Sequence, residues 1–267
     1  MGDLLNHVMT NGFPLDPSSI IHLFVGGSTL HGAKVEGYDD LDIYGCYVEP
    51  SDRILGIKTM EHFVWSSGSQ AEKNTANDVD ITMYSLHRWA ELMMKGNPAI
   101  LHYLYAYPLS STNPTVWDKH IIPLREQLLT KKAAKQYLGF ANSQRMRLTG
   151  ERGMGRHGQR PDLIEKYGYD TKFAMHYIRL LYECHELLAE KFLTLPLKQK
   201  DHLIDIRKGK YTQDEVFETG KCLMRECEIL LEESDLPENI DVHLLSNAVA
   251  NAYREHWEIN EYKEKIW

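Results

Sequence analysis

A chain of 267 residues that is 43% hydrophobic, 25% charged and 10% aromatic has ordinary globular usage, enough to bury one large core or two modest ones. No window approaches the ~18 to 20 uninterrupted apolar residues that cross a bilayer, which excludes membrane insertion, and Cys46, Cys184, Cys222 and Cys227 lack the spacing of a disulfide framework or zinc site. The formal charge of −8 argues against a nucleic-acid partner, yet residues 131–179 hold eleven Lys or Arg against four acids, a local +7 inside an acidic chain.

Residues 1–11 carry Asp3 and no basic stretch before a short apolar run, so the start reads as cytosolic and not as a secretory signal. Leu4, Leu5, Val8 and Met9 share one face of a short helix that Asn11, Gly12 and Pro14 stop. Ile20–Val25 is a compact apolar run, a strand entering a tight turn at Gly26 and Gly27. Leu41, Asp42, Ile43 and Tyr44 alternate, which puts Asp40 and Asp42 on one strand face; residues 78–83 repeat the pattern with Asp78 and Asp80. The Ser, Gly, Asn and Gln stretch at 66–77 predicts a loop. Ser85 is an N-cap signal for a helix through Lys95, closed by Gly96, and Asn97 with Pro98 starts another. Beyond Pro108 strand alternation gives way to helical periods at roughly 115–149, 170–193, 212–233 and 239–258. Gly, Arg, His and Pro interrupt them at 150–168, which predicts a basic loop that orders on binding. The expectation is an α+β front domain at 1–112 and an all-helical domain at 113–267.

Two acids on one strand face are costly to hold together unless a divalent cation lies between them, so Asp40 and Asp42 predict Mg²⁺, with Mn²⁺ as the alternative ion. Asp80 on a neighbouring strand would complete a two-ion site, and the turn at Gly27 and Ser28 offers N–H groups and a hydroxyl to phosphate oxygens. That chemistry is in-line nucleotidyl transfer from an NTP. Spacing alone does not separate Asp78 from Asp80, because both lie on the same strand face. Lys172, His176 and Arg179 fall at i, i+4 and i+7, one helix face that suits phosphate or base contacts, or else a solvated basic stripe. Arg145, Arg147, Arg152, Arg156 and Arg160, with Tyr167 and Tyr169 behind them, suit single-stranded RNA, although a solvated loop has the same composition.

Gly27 and Ser28, then Asp40-x-Asp42 and a distal Asp, resemble the DNA polymerase β-type nucleotidyltransferase superfamily. Residues 78–82, the run from Lys95 to Ala99, and Tyr167 to Lys172 leading to His176 and Arg179 are similar to its branch of RNA-ligase-associated polymerase β-like proteins, common in bacteria and phages. The resemblance implies a mixed sheet flanked by helices, three carboxylates with two Mg²⁺, and Asp80 as the third of them. It further implies a transferase associated with RNA repair, its acceptor an RNA or tRNA 3′ end, in the cytoplasm of a bacterial or phage-infected cell. Nucleotidylation of a protein or small molecule, or a non-catalytic antitoxin-like partner, are the alternative readings. Asp39 stands where many members of the superfamily have Ser. Arg179 and His185 superficially resemble the Arg and His pair of helical HEPN ribonucleases, but Leu180 follows the Arg and six positions set the two side chains apart, so the helical domain is expected to be silent.

Overall fold

The computed structural model describes residues 2–35, 40–68, 78–106, 115–151 and 160–264. In chain order the elements are α1 (Gly2–Thr10), β1 (Ile20–Val25), α2 (Gly27–Leu30), β2 (Leu41–Tyr47), α3 (Ser51–Leu55), β3 (His62–Ser66) and β4 (Val79–Ser85). Helices follow: α4 (Leu86–Met94), α5 (Pro98–Tyr105), α6 (Val116–His120), α7 (Lys131–Leu148), α8 (Pro161–Tyr167), α9 (Thr171–Glu190), α10 (Lys200–Arg207), α11 (Gln213–Glu233) and α12 (Val242–Glu264). The architecture is α+β, a four-stranded mixed sheet flanked by helices.

The strands lie in the order β1-β2-β4-β3, with β1 antiparallel to β2, β2 parallel to β4, and β3 antiparallel to β4. Alternation assigns the two faces. Leu23, Ile43, Tyr47, Ile81 and Met83 pack on Leu4 and Val8 of α1 and on Phe13, while Phe24 and Cys46 turn into the larger core built mostly by the helices. That larger core runs without a break from β1 to α12, and it leaves Asp42 and Asp80 on the sheet face the helices cover.

Local signals set most helix starts. Ser85 accepts from the Arg88 N–H (3.1 Å), Asn97 from that of Ala99 (3.0 Å) with Pro98 in the first turn, and Asp170 from those of Lys172 and Phe173. The single helix predicted over 115–149 is a correction: it breaks into α6, a 3-10 turn at Ile122–Leu128 and α7. Pro123 has no N–H to continue α6, Leu129 is extended, and Thr130 recaps the chain by accepting from Ala133 N–H. Residues 161–167, predicted as loop, form α8, which Pro161 opens and Gly168 closes at φ +84°. Strand β3, α3 and α10 had no prediction; Ser66 ends β3, and the rest of the loop predicted at 66–77 lies from 69 on outside the described residues. The domain division at 112/113 also lies outside them.

The back of the chain is fastened onto the front. Thr115 donates to the Ile21 carbonyl (2.8 Å), Trp117 stacks on His22 at 4.7 Å, and Tyr253 and Trp257 of α12 donate to the side chain and the carbonyl of Glu49 respectively. No helix among the described residues is long and apolar enough to cross a membrane.

Candidate active site

The turn after β1 lies directly against β2. The Gly26 N–H donates to the Asp42 carbonyl (2.9 Å), Gly27 adopts φ +56°, and the Leu30 N–H closes one helical turn on the Gly26 carbonyl. A Cβ on Gly26 would sit 2.0 Å from the Tyr44 ring and one on Gly27 1.7 Å from Asp42 Oδ2, so only glycine lets this backbone approach the carboxylate so closely.

The parallel register places Asp42 beside Asp80, and Asp40 immediately precedes β2. One carboxylate oxygen from each of Asp40, Asp42 and Asp80 lies within 4.8 Å of the others, and all three residues are partly exposed. Asp78, one pleat earlier, accepts instead from the Ser67 hydroxyl (2.9 Å). Three converging hard oxygen donors fit a divalent cation of the Mg²⁺ or Mn²⁺ type. Because the Gly27 backbone occupies the space beside Asp42, Gly27→Ala is expected to push that carboxylate aside and weaken Mn²⁺ binding, read by electron paramagnetic resonance, by about ten- to a hundredfold. Unchanged affinity in a folded variant would show that the Asp42 position does not depend on this contact.

Helix α9 closes the site from the opposite side. Lys172, His176 and Arg179 line a cavity of about 310 Å³ together with Gly27, Ser28, Asp40 and Asp42, and Phe24, Tyr44, Ala99 and Met175 form its apolar wall. Burial, and then the charges of Arg179, Lys172 and Arg160, hold the His176 pKa well below the usual histidine value, so the ring is a neutral group among cations. His31 follows α2 and is buried in the wall of the same cavity. Arg179 Nη1 donates to its Nε2, which leaves the proton of the neutral ring on Nδ1, 3.1 Å from Glu183 Oε1 but outside hydrogen-bond geometry. Burial, then Arg179, lower the His31 pKa to about 3. Arg179 Nη1 also donates to Glu183 Oε1 (3.1 Å), and His102 Nε2 lies 3.0 Å from Oε2. Burial raises the Glu183 pKa, but Arg179, His102 and His31 together outweigh it and leave the carboxyl well below the ordinary range.

The other predicted residues lie elsewhere. Arg145 pairs with Glu151 (3.4 Å) and lines a separate groove between α7 and α11. Arg160 pairs with Asp170 (3.3 Å), and Arg147 and Arg160 lie over the Phe173 ring at 5.9 and 5.1 Å. Arg152, Arg156 and Asp39 lie outside the described residues. Arg179 faces the cavity while His185 lies 3.7 Å from Glu226 of α11, so these two side chains do not form a pair. Sequence reasoning missed Glu183 and His102. Glu183 carried a legible signal, an acid four residues after Arg179; His102 carried none, because its partner lies 81 positions away.

A family described as RlaP, RNA repair pathway DNA polymerase beta family, matches residues 3–235. An uncharacterized 38.9 kDa protein in the nrdC-mobD intergenic region of Enterobacteria phage T4 is 31% identical over 121 residues, 44% of this chain. The match spans only 35% of that phage protein. A crystal structure of a nucleotidyltransferase-like protein from Exiguobacterium sibiricum 255-15 aligns over 86% of this chain and 75% of that one, at 11% identity and a TM-score of 0.29.

Proposed function

We propose, since the chain belongs to the RNA repair pathway DNA polymerase beta family and is thereby a nucleotidyltransferase, that it moves a nucleoside monophosphate from an NTP to an RNA or tRNA 3′ hydroxyl. One observation carries the reading: the glycine turn, Asp40 and Asp42, with Asp80 beside them, and the basic face of α9 gather at one cavity that Gly27, Asp40, Asp42 and Arg179 line although they are up to about 150 residues apart in the chain.

Asp40, Asp42 and Asp80 would hold two Mg²⁺, which supply neutralisation of the triphosphate charge and a lowered pKa of the attacking hydroxyl. The chain's own groups do the rest. The Gly27 and Ser28 amides and the Ser28 hydroxyl hold the β and γ phosphates. Lys172 and Arg179 bind their outer oxygens from α9, and neutral His176 offers a hydrogen bond there. Asp80 takes up the proton that the acceptor hydroxyl loses. The acceptor oxygen then bonds to the α phosphorus as the bond to the bridging β oxygen breaks, and pyrophosphate leaves in line with the attack.

The basic segment containing Arg145, Arg147, Arg152, Arg156 and Arg160 is the proposed RNA contact, and the cytoplasm of a bacterial or phage-infected cell the place of action. Incubation with Mg²⁺ and each α-labelled NTP in turn, with total tRNA, unstructured RNA and the protein itself as acceptors, tests the reading. Label is expected on RNA, with binding that weakens steeply as salt rises. Label on protein alone would replace RNA with a protein acceptor, and no label on any acceptor would favour the non-catalytic reading.

A further inference from the structure

Arg179 is a long, flexible side chain that reaches a solvent-open cavity, and an unrestrained arginine loses much of its rotamer freedom on being fixed. Its position is set beforehand. Glu183, one turn further along α9 and completely buried, accepts from Arg179 Nη1 (3.1 Å) and faces His31 Nδ1 (3.1 Å) with the same oxygen, while its second oxygen faces His102 Nε2 (3.0 Å). One carboxylate therefore joins the basic face of α9, the residue following the phosphate turn, and α5. We propose that Glu183 is a positioning residue, which acts through Arg179 by holding its guanidinium in place for the triphosphate. The proposal rests on the nucleotidyltransferase reading above.

Stability alone does not account for this group. Desolvating a carboxylate is costly, and a well-packed apolar side chain of the same volume is often at least as stabilising. What an apolar side chain cannot do is orient a guanidinium, which requires a charged acceptor in place. A metal does not explain the cluster either. His31, His102 and Glu183 have ligand atoms within 4.8 Å of one another, but Arg179 Nη1 already contacts both His31 Nε2 and Glu183 Oε1, so the cation at this cluster is the guanidinium itself.

The test compares wild type, Glu183→Gln, Arg179→Ala and the double variant by calorimetric titration with inorganic tripolyphosphate, which is independent of base preference, and by Mn²⁺ binding. Glu183→Gln is expected to weaken tripolyphosphate about tenfold, the scale of one charge-assisted hydrogen bond, and to leave Mn²⁺ affinity within about twofold of wild type. In the Arg179→Ala background it should add nothing, because the carboxylate acts through the arginine. Equal tripolyphosphate affinity in wild type and Glu183→Gln, full additivity of the two changes, or a matching loss of Mn²⁺ affinity would overturn the positioning role. Should the Gln variant not fold, Glu183→Asp keeps the charge but shortens its reach and goes through the same cycle, with the same non-additivity expected. Wild type that binds neither tripolyphosphate nor Mn²⁺ would defeat the nucleotidyltransferase reading itself, a result distinct from failure of the Glu183 cycle alone.

Discussion

If Asp42 holds the ions as proposed, replacing it by Asn is expected to reduce nucleotidyl transfer by on the order of 10³-fold, the scale of several kcal/mol of lost transition-state charge stabilisation, while the fold stays intact. The amide has the shape of the carboxylate, and the backbone bond from Gly26 N–H to the Asp42 carbonyl does not involve the side chain. What disappears is one of three negative charges whose oxygens lie within 4.8 Å of one another. Relief of that repulsion should slightly raise the melting temperature without metal, and the rise produced by Mg²⁺ should shrink with the lost affinity. The informative control is Asp78→Asn. Asp78 lies on the same strand face but is held by Ser67, so its loss should leave transfer within about twofold, on the scale of a surface substitution. If Asp42→Asn keeps wild-type turnover, or Asp78→Asn is as damaging as Asp42→Asn, the carboxylate assignment is wrong.

Acid should destabilise the protein already between pH 7 and pH 5. His22 is buried against Trp117, and burial lowers its pKa to about 4; His31 is lowered to about 3, and His176 falls well below the ordinary value, both chiefly by burial. A histidine with a depressed folded pKa is neutral in the native state but charges in the unfolded chain below pH about 6.5, so the unfolded state binds more protons and stability declines as pH falls. Each such group contributes a slope of up to about 1.4 kcal/mol per pH unit between its unfolded and folded pKa values. With three of them, unfolding free energy should drop by roughly 4 to 6 kcal/mol between pH 7 and pH 5. Glu183 acts in a lower window: its folded pKa is depressed, so its contribution is present above the ordinary carboxylate value and is lost only as pH falls further. Urea titrations at pH 7, 6 and 5 measure the slope, and His22→Phe, which keeps an aromatic ring on Trp117, should remove about a third of it. A midpoint unchanged from pH 7 to pH 5 would show that these histidines do not stay neutral in the fold.

Much of the active-site region was legible because its signals are local. A strand that ends in two glycines, and acids that alternate with apolar residues, follow from chain stereochemistry and period-two geometry, which need no distant partner. The same holds for the helix starts at Ser85 and Asn97, where the capping oxygen lies two or three residues from the N–H it satisfies. Strand β3 was hidden because it is only five residues long and its strand-forming run, Phe63, Val64 and Trp65, does not alternate apolar with polar; pairing with β4 sets its bounds. The period over 115–149 was real but spans two helices, since helical spacing continues across a proline that the backbone cannot cross.

The sequence by itself determined the α+β class, the glycine turn and the acidic strand faces, all of which depend on residues within a few positions of each other. Spacing left open which acid joins Asp40 and Asp42, the resemblance implied Asp80, and the tertiary structure supplies the physical reason. Asp78 and Asp80 have the same parity, and only the register of β2 against β4 sets Asp80 opposite Asp42 and leaves Asp78 to Ser67. The tertiary structure decided that Lys172, His176 and Arg179 face the cavity and that Glu183 gathers Arg179, His31 and His102. Contacts between residues about 80 to 150 positions apart depend on how helices pack across a sheet, and one strand's or one helix's periodicity carries no record of its neighbour.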